Sequence, residues 1–164
     1  MKRHESMRGY FAYELYQHMK RKKNVWLVVG DVGYKVFDAH FRDFPDRCIN
    51  TGAAEQSMMG IAVGLALSGK RVVVYTITPF LLYRPFETIR NYVDHENIPL
   101  ILAGSGRDND YHIDGFSHSA SDAKSIISNF ENIESYWPNS KGTIPMLLNY
   151  MLSEKTPFFL SLTR

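Results

Sequence analysis

The sequence is poor in cysteine, in net charge and in long apolar runs, and each shortage excludes a class of protein. Its one cysteine, Cys48, excludes an internal disulfide and a cysteine-rich metal cluster. A net charge of +2 over 164 residues gives no reason to expect a nucleic-acid partner. The longest apolar run, residues 58–67, is about half of the ~20 residues that span a membrane. No apolar stretch typical of a secretory signal stands near the first residue. We therefore expect a cytoplasmic protein that binds neither membranes nor nucleic acid.

Motifs that bind ligands on their own are incomplete in this chain. Residues 30–33 read Gly-Asp-Val-Gly, which lacks the Lys-Ser/Thr of a P-loop and the spacing of a dinucleotide fingerprint. A tight turn after a strand is the simpler interpretation. His112 and His118, with the aspartates around them, match no zinc-binding spacing, so we assign no metal ligand. A serine nucleophile has little support, since no Gly-x-Ser-x-Gly elbow is present.

Apolar runs typical of buried strands alternate with stretches of helical periodicity. Strands are predicted at residues 25–29, 49–50, 71–77, 100–103, 133–137 and 158–162, and helices at residues 6–21, 34–44, 54–67, 79–95, 119–130 and 143–153. The alternation predicts a three-layer α/β/α fold with a mainly parallel sheet, formed by a single domain over residues 1–164. Ligands in such sheets bind beyond the carboxyl ends of the strands, here the loops at 30–34, 76–84 and 104–118.

The predicted helix at residues 54–67 is apolar on every face and carries one carboxylate, Glu55, in its first turn. A helix without a polar face is expected inside a protein or at an interface. Gly60 and Gly64, about one turn apart, would let another backbone approach closely. Burying Glu55 costs free energy unless a partner takes its charge or its proton, which indicates a functional role.

Six blocks of residues resemble, in order and spacing, one known family. They are Phe44-Pro45-Asp46-Arg47, Asn50-Thr51-Gly52-Ala53-Ala54-Glu55-Gln56, Gly60-Ile61-Ala62-x-Gly64-Leu65-Ala66, Thr76-x-x-x-Phe80, Arg84-x-Phe86-Glu87-x-Ile89-Arg90 and Asp114-Gly115-Phe116-Ser117-His118. The resemblance is to the pyrimidine-binding domain of transketolase-like thiamine diphosphate enzymes. These include transketolase, 1-deoxyxylulose-5-phosphate synthase and the β subunits of 2-oxo acid dehydrogenases. The closing residues, 157–164, are similar to the last strand of that domain.

The resemblance implies roles for individual residues. Glu55 would hydrogen-bond N1′ of the aminopyrimidine and favour the imino tautomer, whose 4′-nitrogen removes the thiazolium C2 proton. Phe80 would stack on the pyrimidine ring with Tyr83 as a neighbour, and Asp31 falls near an acid that supports the cofactor. His118, a second catalytic residue, would face the substrate. Asp114 and Arg84 are also placed on the substrate side.

The resemblance is incomplete in ways that limit it. Phe116 replaces the family's usual proline, Ser119 replaces a glutamine, and one extra residue stands between Phe80 and Arg84. Because these changes fall on the substrate side, the substrates of the family are not carried over. The Gly-Asp-Gly motif and following Asn that hold the diphosphate and Mg²⁺ in this family are absent, and so is the family's C-terminal domain.

The implied protein is therefore the pyrimidine-binding subunit of a split enzyme. A separate diphosphate-binding subunit would hold most of the contacts to Mg²⁺, in a predicted α2β2 assembly, with the helix at 54–67 as an interface helix. The implied reaction transfers a two-carbon ketol or acyl unit from a keto donor to an aldehyde or sugar acceptor. Two alternatives remain: a subunit of a 2-oxo acid decarboxylase or dehydrogenase, and a non-catalytic module that retains the fold.

Overall fold

The computed structural model describes residues 4–164, so the first three residues of the predicted domain lie outside the described part. Six strands form one sheet in the order β2-β1-β3-β4-β6-β5, and every neighbouring pair is parallel. The strands are β1 (Val25–Val29), β2 (Cys48–Asn50), β3 (Arg71–Ile77), β4 (Leu100–Ser105), β5 (Glu134–Tyr136) and β6 (Phe158–Leu162). The predicted α/β class with a parallel sheet is thus confirmed.

Helices cover both faces of the sheet. They are α1 (Met7–Arg21), α2 (Asp38–Asp43), α3 (Glu55–Leu67), α4 (Thr78–Tyr83), α5 (Phe86–Thr88), a π-helix (Ile89–His95), α6 (Ala123–Ile127) and α7 (Ile144–Ser153), with short 3₁₀ turns at Pro45–Arg47, His112–Asp114, Phe116–His118 and Lys141–Thr143. No helix within residues 4–164 is both long enough and apolar enough to cross a membrane.

Alternate residues of the strands build two separate cores, one on each face of the sheet. Along β3, Val73 and Tyr75 pack in one core with residues of α1 and α7. Val72 and Val74 pack in the other with residues of α3, α4 and the π-helix. Both faces are covered because the central strands are apolar at consecutive positions, as in other parallel sheets.

Most predicted elements are confirmed to within a few residues, but the helix predicted at 119–130 is wrong in extent. Only Ala123–Ile127 is helical. At its start, the Ala120 N–H donates to the Asp108 carbonyl at 2.8 Å, and Ser119 donates to Asn109 Oδ1. At its end, the side chains of Ser128 and Asn129 both donate to the Ser125 carbonyl. Polar side chains and a single bridge thus take backbone groups that a longer helix would use.

Candidate active site

Glu55 opens α3 at the carboxyl end of the sheet. The chain leaves β2 at Asn50, turns at Gly52, where φ is +68°, and enters the helix directly at Glu55. The Glu55 side chain is only 2% exposed, as its place before an apolar helix suggests. The first turn of a helix carries a partial positive charge, which favours a carboxylate at this position.

The partner of Glu55 is Arg84, which follows α4. One guanidinium nitrogen, Nη1, lies 2.7 Å from both carboxylate oxygens. The same guanidinium lies over the face of Phe80, with its central carbon 3.8 Å from the ring centroid. The Arg84 side chain remains 44% exposed. A buried carboxylate, a planar cation and an aromatic ring therefore form one stack, held together by a charge-assisted hydrogen bond and a cation–π contact.

His118 lies on another side of the Phe80 ring. The two ring centroids are 4.8 Å apart with an interplanar angle of 68°. His118 ends the segment 112–118, which reverses direction at Gly115, where φ is +91°. Its Nδ1 is 3.1 Å from Ser117 Oγ. The structure thus brings Glu55, Phe80, Arg84 and His118 into one contiguous group.

Two other predicted residues stand apart from this group. Asp31 is exposed just beyond β1, with φ at +50°, and its backbone N–H donates to Asn50 Oδ1 at 3.2 Å. Asp114 is exposed in a 3₁₀ turn and makes no side-chain hydrogen bond within residues 4–164. No hydrogen bond or ion pair joins either residue to Glu55 or Phe80 in the described part of the chain.

Tyr83 lines a neighbouring cavity of about 350 Å³ rather than the stack itself. Phe116, Ser117 and Asp122 line the same cavity. Partial burial and the adjacent Asp122 carboxylate raise the pKa of Tyr83 to about 12. The Tyr83 hydroxyl thus lies beside the Asp122 carboxylate at this cavity.

Two residues that the sequence does not single out position the site. Gln56 Nε2 donates to Thr88 Oγ1 at 2.7 Å and so joins the first turn of α3 to α5. Thr78 Oγ1 donates to the Gly106 carbonyl at 2.6 Å and anchors the start of α4 beside β4. Gln56 belongs to the motif block that includes Glu55, although the sequence predicts no role for it, and Thr78 has no sequence signal.

No three His, Cys, Asp or Glu side chains converge on a possible metal position within residues 4–164. Cys48 is buried, and burial raises the pKa of its thiol to about 12, so it is protonated and unreactive at neutral pH. The chemistry of the described site therefore depends on the Glu55 carboxylate and on Arg84 and His118, which both lie against the Phe80 ring.

The chain matches the family described as "Transketolase, pyrimidine binding domain" over residues 4–164. It is 32% identical over 121 residues to a subunit of the apulose-4-phosphate transketolase of Actinobacillus succinogenes, a match that covers 74% of this chain and 39% of that protein. It is 26% identical over 162 residues to "Putative transketolase C-terminal section" of Methanocaldococcus jannaschii, a match that covers 98% of this chain and 51% of the relative. The chain thus spans about half, or less, of these relatives.

Solved structures show the same fold. A structure titled "Split gene transketolase, inactive beta4 tetramer" superposes with a TM-score of 0.85 at 22% identity, over 97% of this chain and 51% of that one. A transketolase mutant from Pichia stipitis superposes with a TM-score of 0.84 at 17% identity, over 97% of this chain and 25% of that one. Since the family matches 161 of the 164 residues, 4–164, this chain belongs to the transketolase pyrimidine-binding domain family.

Proposed function

We propose that this chain is the pyrimidine-binding half of a split, thiamine diphosphate-dependent transketolase-like enzyme, active only together with a diphosphate-binding subunit. The observation that carries the proposal is the stack of Glu55, Arg84 and Phe80. There a buried carboxylate holds a planar group bearing N–H donors against an aromatic face. An aminopyrimidine is also a planar ring with nitrogen donors, so the same two groups fit it.

Each residue of this chain has a task in the proposed site. When bound, thiamine diphosphate supplies a nucleophilic thiazolium carbon that accepts the two-carbon unit. Glu55 would share a proton with the pyrimidine ring nitrogen N1′, and its burial keeps the carboxylate itself away from water. Phe80 orients the ring by stacking. His118, half-buried beside Phe80, holds or moves a proton on the substrate side.

The remaining predicted residues have weaker support from geometry. We propose that Tyr83 and Asp31 complete the cofactor wall, and that Asp114 acts with His118 on the substrate side. Asp31 and Asp114 are exposed in the chain taken alone. A second subunit that covers this edge of the sheet would bring them into the site.

A second subunit would also supply the diphosphate and Mg²⁺ contacts, because the family's Gly-Asp-Gly motif is absent from the sequence. The relative from A. succinogenes is named as one subunit of a transketolase, which supports a two-chain enzyme. We propose an α2β2 assembly in which α3 forms a contact surface. Its Ile61 and Leu67 side chains are 39% and 71% exposed, so apolar surface is available for a chain–chain contact.

The proposed reaction transfers a two-carbon ketol or acyl unit from a keto donor to an aldehyde or sugar acceptor. The names of two relatives, transketolase subunits for apulose 4-phosphate and for 6-deoxy-6-sulfo-D-fructose, support a transferase acting on sugars. A 2-oxo acid decarboxylase subunit is the alternative. Product analysis with pyruvate, with and without a sugar aldehyde, separates the two: release of acetaldehyde without an acceptor would favour the alternative.

The test is reconstitution of the chain with a diphosphate-binding subunit, thiamine diphosphate and Mg²⁺. Glu55→Gln removes the shared proton while keeping the size of the side chain, so we expect kcat to fall by about a hundredfold or more. The matched control is Glu154→Gln, since Glu154 is exposed at the end of α7, on the opposite face of the sheet. Full activity of the Glu55→Gln enzyme would show that Glu55 does not have the proposed role.

A further inference from the structure

We propose that Arg84 is an internal competitor of the cofactor: its guanidinium occupies the pyrimidine position in the free chain and must leave when the cofactor binds. This inference rests on the proposed function, because the pyrimidine position is defined by Glu55 and Phe80. It assigns Arg84 a role other than the substrate contact that the sequence suggests. The role follows from what the side chain touches.

Arg84 takes the two contacts that an aminopyrimidine would need. Its Nη1 lies 2.7 Å from each oxygen of the Glu55 carboxylate, so both acceptor atoms are in use. Its central carbon lies 3.8 Å from the Phe80 ring centroid, which is a stacking distance, so that face of the ring is covered. His118 contacts the same ring at a steep angle of 68°. A cofactor ring that stacks on the same face of Phe80 and bonds Glu55 from that side would therefore meet the Arg84 guanidinium, which must move to admit it.

The chemistry of the guanidinium explains why it fits there. It is planar, positively charged and rich in N–H donors, and it stacks readily on aromatic faces. An aminopyrimidine protonated on its ring nitrogen shares these properties. The Arg84 guanidinium also lowers the free-energy cost of burying Glu55. Without it, a carboxylate that is only 2% exposed would be buried without a partner.

Release of Arg84 requires a side-chain rotation rather than a movement of helices. Gln56, the neighbour of Glu55 in α3, donates to Thr88 in α5, four residues after Arg84, over 2.7 Å. The start of α4 is anchored by the bond from Thr78 to Gly106, 2.6 Å long. The backbone around the site is thus held from both ends of the α4–α5 segment. The Arg84 side chain is 44% exposed, so it has a direct route to solvent.

The need to displace Arg84 lowers the apparent affinity of the chain for the cofactor. A ligand that binds only the conformer with Arg84 displaced has its dissociation constant raised by the reciprocal of that conformer's population. Removing the guanidinium should therefore tighten binding of the pyrimidine ring to the free chain. This expectation is the reverse of what a substrate-binding or merely structural arginine would produce.

The experiment measures binding of thiamine to the free full-length chain by NMR titration. Thiamine carries the aminopyrimidine without the diphosphate, so the second subunit is not needed. We expect Arg84→Ala to bind thiamine about tenfold more tightly than the unaltered chain, as for a binding conformer populated at about a tenth. Arg84→Gln keeps an uncharged donor for Glu55 and should give an intermediate value. Arg84→Gln also provides the test if the Arg84→Ala chain does not fold.

The control is Arg90→Ala, since Arg90 is an exposed arginine in the adjacent π-helix whose side chain donates to Asn91. This variant should bind thiamine as the unaltered chain does. Equal or weaker binding by Arg84→Ala and Arg84→Gln would overturn the competitor role and leave the proposed function intact. Absence of binding by every chain at millimolar thiamine, and of thiamine diphosphate binding with a diphosphate-binding subunit, would overturn both.

Discussion

At the scale of single residues, Glu55 connects the fold to the chemistry. It is buried because it opens an apolar helix, and it is tolerated there because Arg84, 29 positions later, supplies a counter-charge. The same carboxylate is the group proposed to share a proton with the cofactor. Under the two proposals, one side chain would have two successive partners, first Arg84 and then the pyrimidine ring.

The sequence can predict which residues belong to this site but not how they pair. Glu55, Phe80 and His118 are identified from motifs, and the structure brings them together. The contact between Arg84 and Glu55 is not predictable, because it depends on how the Arg84 side chain folds back over Phe80. Local spacing along the chain contains no information about such a tertiary contact.

His40 provides a pH-sensitive element of stability at the residue scale. Its side chain is fully buried between the rings of Tyr16 and Phe37, at centroid distances of 5.4 and 5.1 Å. Burial lowers the pKa of His40 to about 4, and the backbone groups of Ala12 and Phe37 oppose only part of this shift. The histidine is therefore neutral in the folded chain at any pH above about 4.

We predict that folding becomes less stable as the pH falls from about 6.5 to about 4. In this window the unfolded chain binds a proton at His40 and the folded chain does not, so protonation favours unfolding. Between pH 6.5 and pH 4 this group lowers the free energy of unfolding by about 3 kcal/mol, because the pKa of His40 is about 4 in the folded chain and about 6.5 in the unfolded one.

The measurement is urea unfolding between pH 4 and pH 8 for the unaltered chain and for His40→Phe, which keeps a planar ring without a titrating group. We expect a smaller slope of unfolding free energy against pH for His40→Phe. His95→Asn is the control, since the His95 side chain is 82% exposed. A slope that is unchanged in His40→Phe would exclude His40 as the source.

At the scale of elements, α3 has an exposed face with unusually small residues. A Cβ added at Gly60 or at Gly64 would meet no heavy atom within 4 Å in the part of the chain that the structure describes. Glycine in the middle of a helix is less favourable than alanine by about 0.5–1 kcal/mol. Neither glycine is therefore required by the packing of the free chain.

We predict opposite effects of Gly60→Ala and Gly64→Ala on the free chain and on the assembly. Each substitution should stabilise the free chain by about 0.5–1 kcal/mol, measured by thermal or urea unfolding. Each should weaken chain–chain association, measured by analytical ultracentrifugation, because a methyl group would hold the neighbouring backbone away. Asn149→Ala, at an exposed position of α7 on the opposite face of the sheet, is the control. Stronger or unchanged association would contradict the proposal that this face of α3 is an interface.

Elements with a continuous apolar core are predictable, and short polar elements are not. β3 and α3 have many apolar residues in a row, so burial decides their structure. Residues 119–130 contain serines and an asparagine whose side chains compete for backbone groups, and only Ala123–Ile127 forms a helix. The π-hydrogen-bonding of Ile89–His95 is not predictable either, since its side-chain pattern resembles that of an ordinary helix.

At the scale of the whole molecule, the sheet separates the site from one of the two cores, the one that α1 and α7 share. Glu55, Phe80 and Arg84 come from α3, α4 and the residue after α4, whose apolar residues pack in the core shared with the π-helix. The other core, shared by α1 and α7, contains none of these residues. Substitutions in that core should therefore change the free energy of unfolding without changing the geometry of the site.

We predict that Leu148→Ala lowers the free energy of unfolding by about 2–5 kcal/mol, because Leu148 is fully buried in the core of α1 and α7. Kinetic constants of the reconstituted enzyme, measured well below the midpoint of unfolding, should not change. Met146→Ala is the control in the same helix, since Met146 is 67% exposed and its loss should change stability by less than about 0.5 kcal/mol. A changed KM for thiamine diphosphate in Leu148→Ala would mean that the two faces are coupled.

The two outermost strands, β2 and β5, are only three residues long each. Short edge strands offer few free backbone groups to which another chain could add a strand. We therefore expect contacts with other copies or with a second subunit to be made chiefly by side chains on helices and loops. If the enzyme is made of two chains as proposed, copies of this subunit that have no partner should resist aggregation through strand pairing.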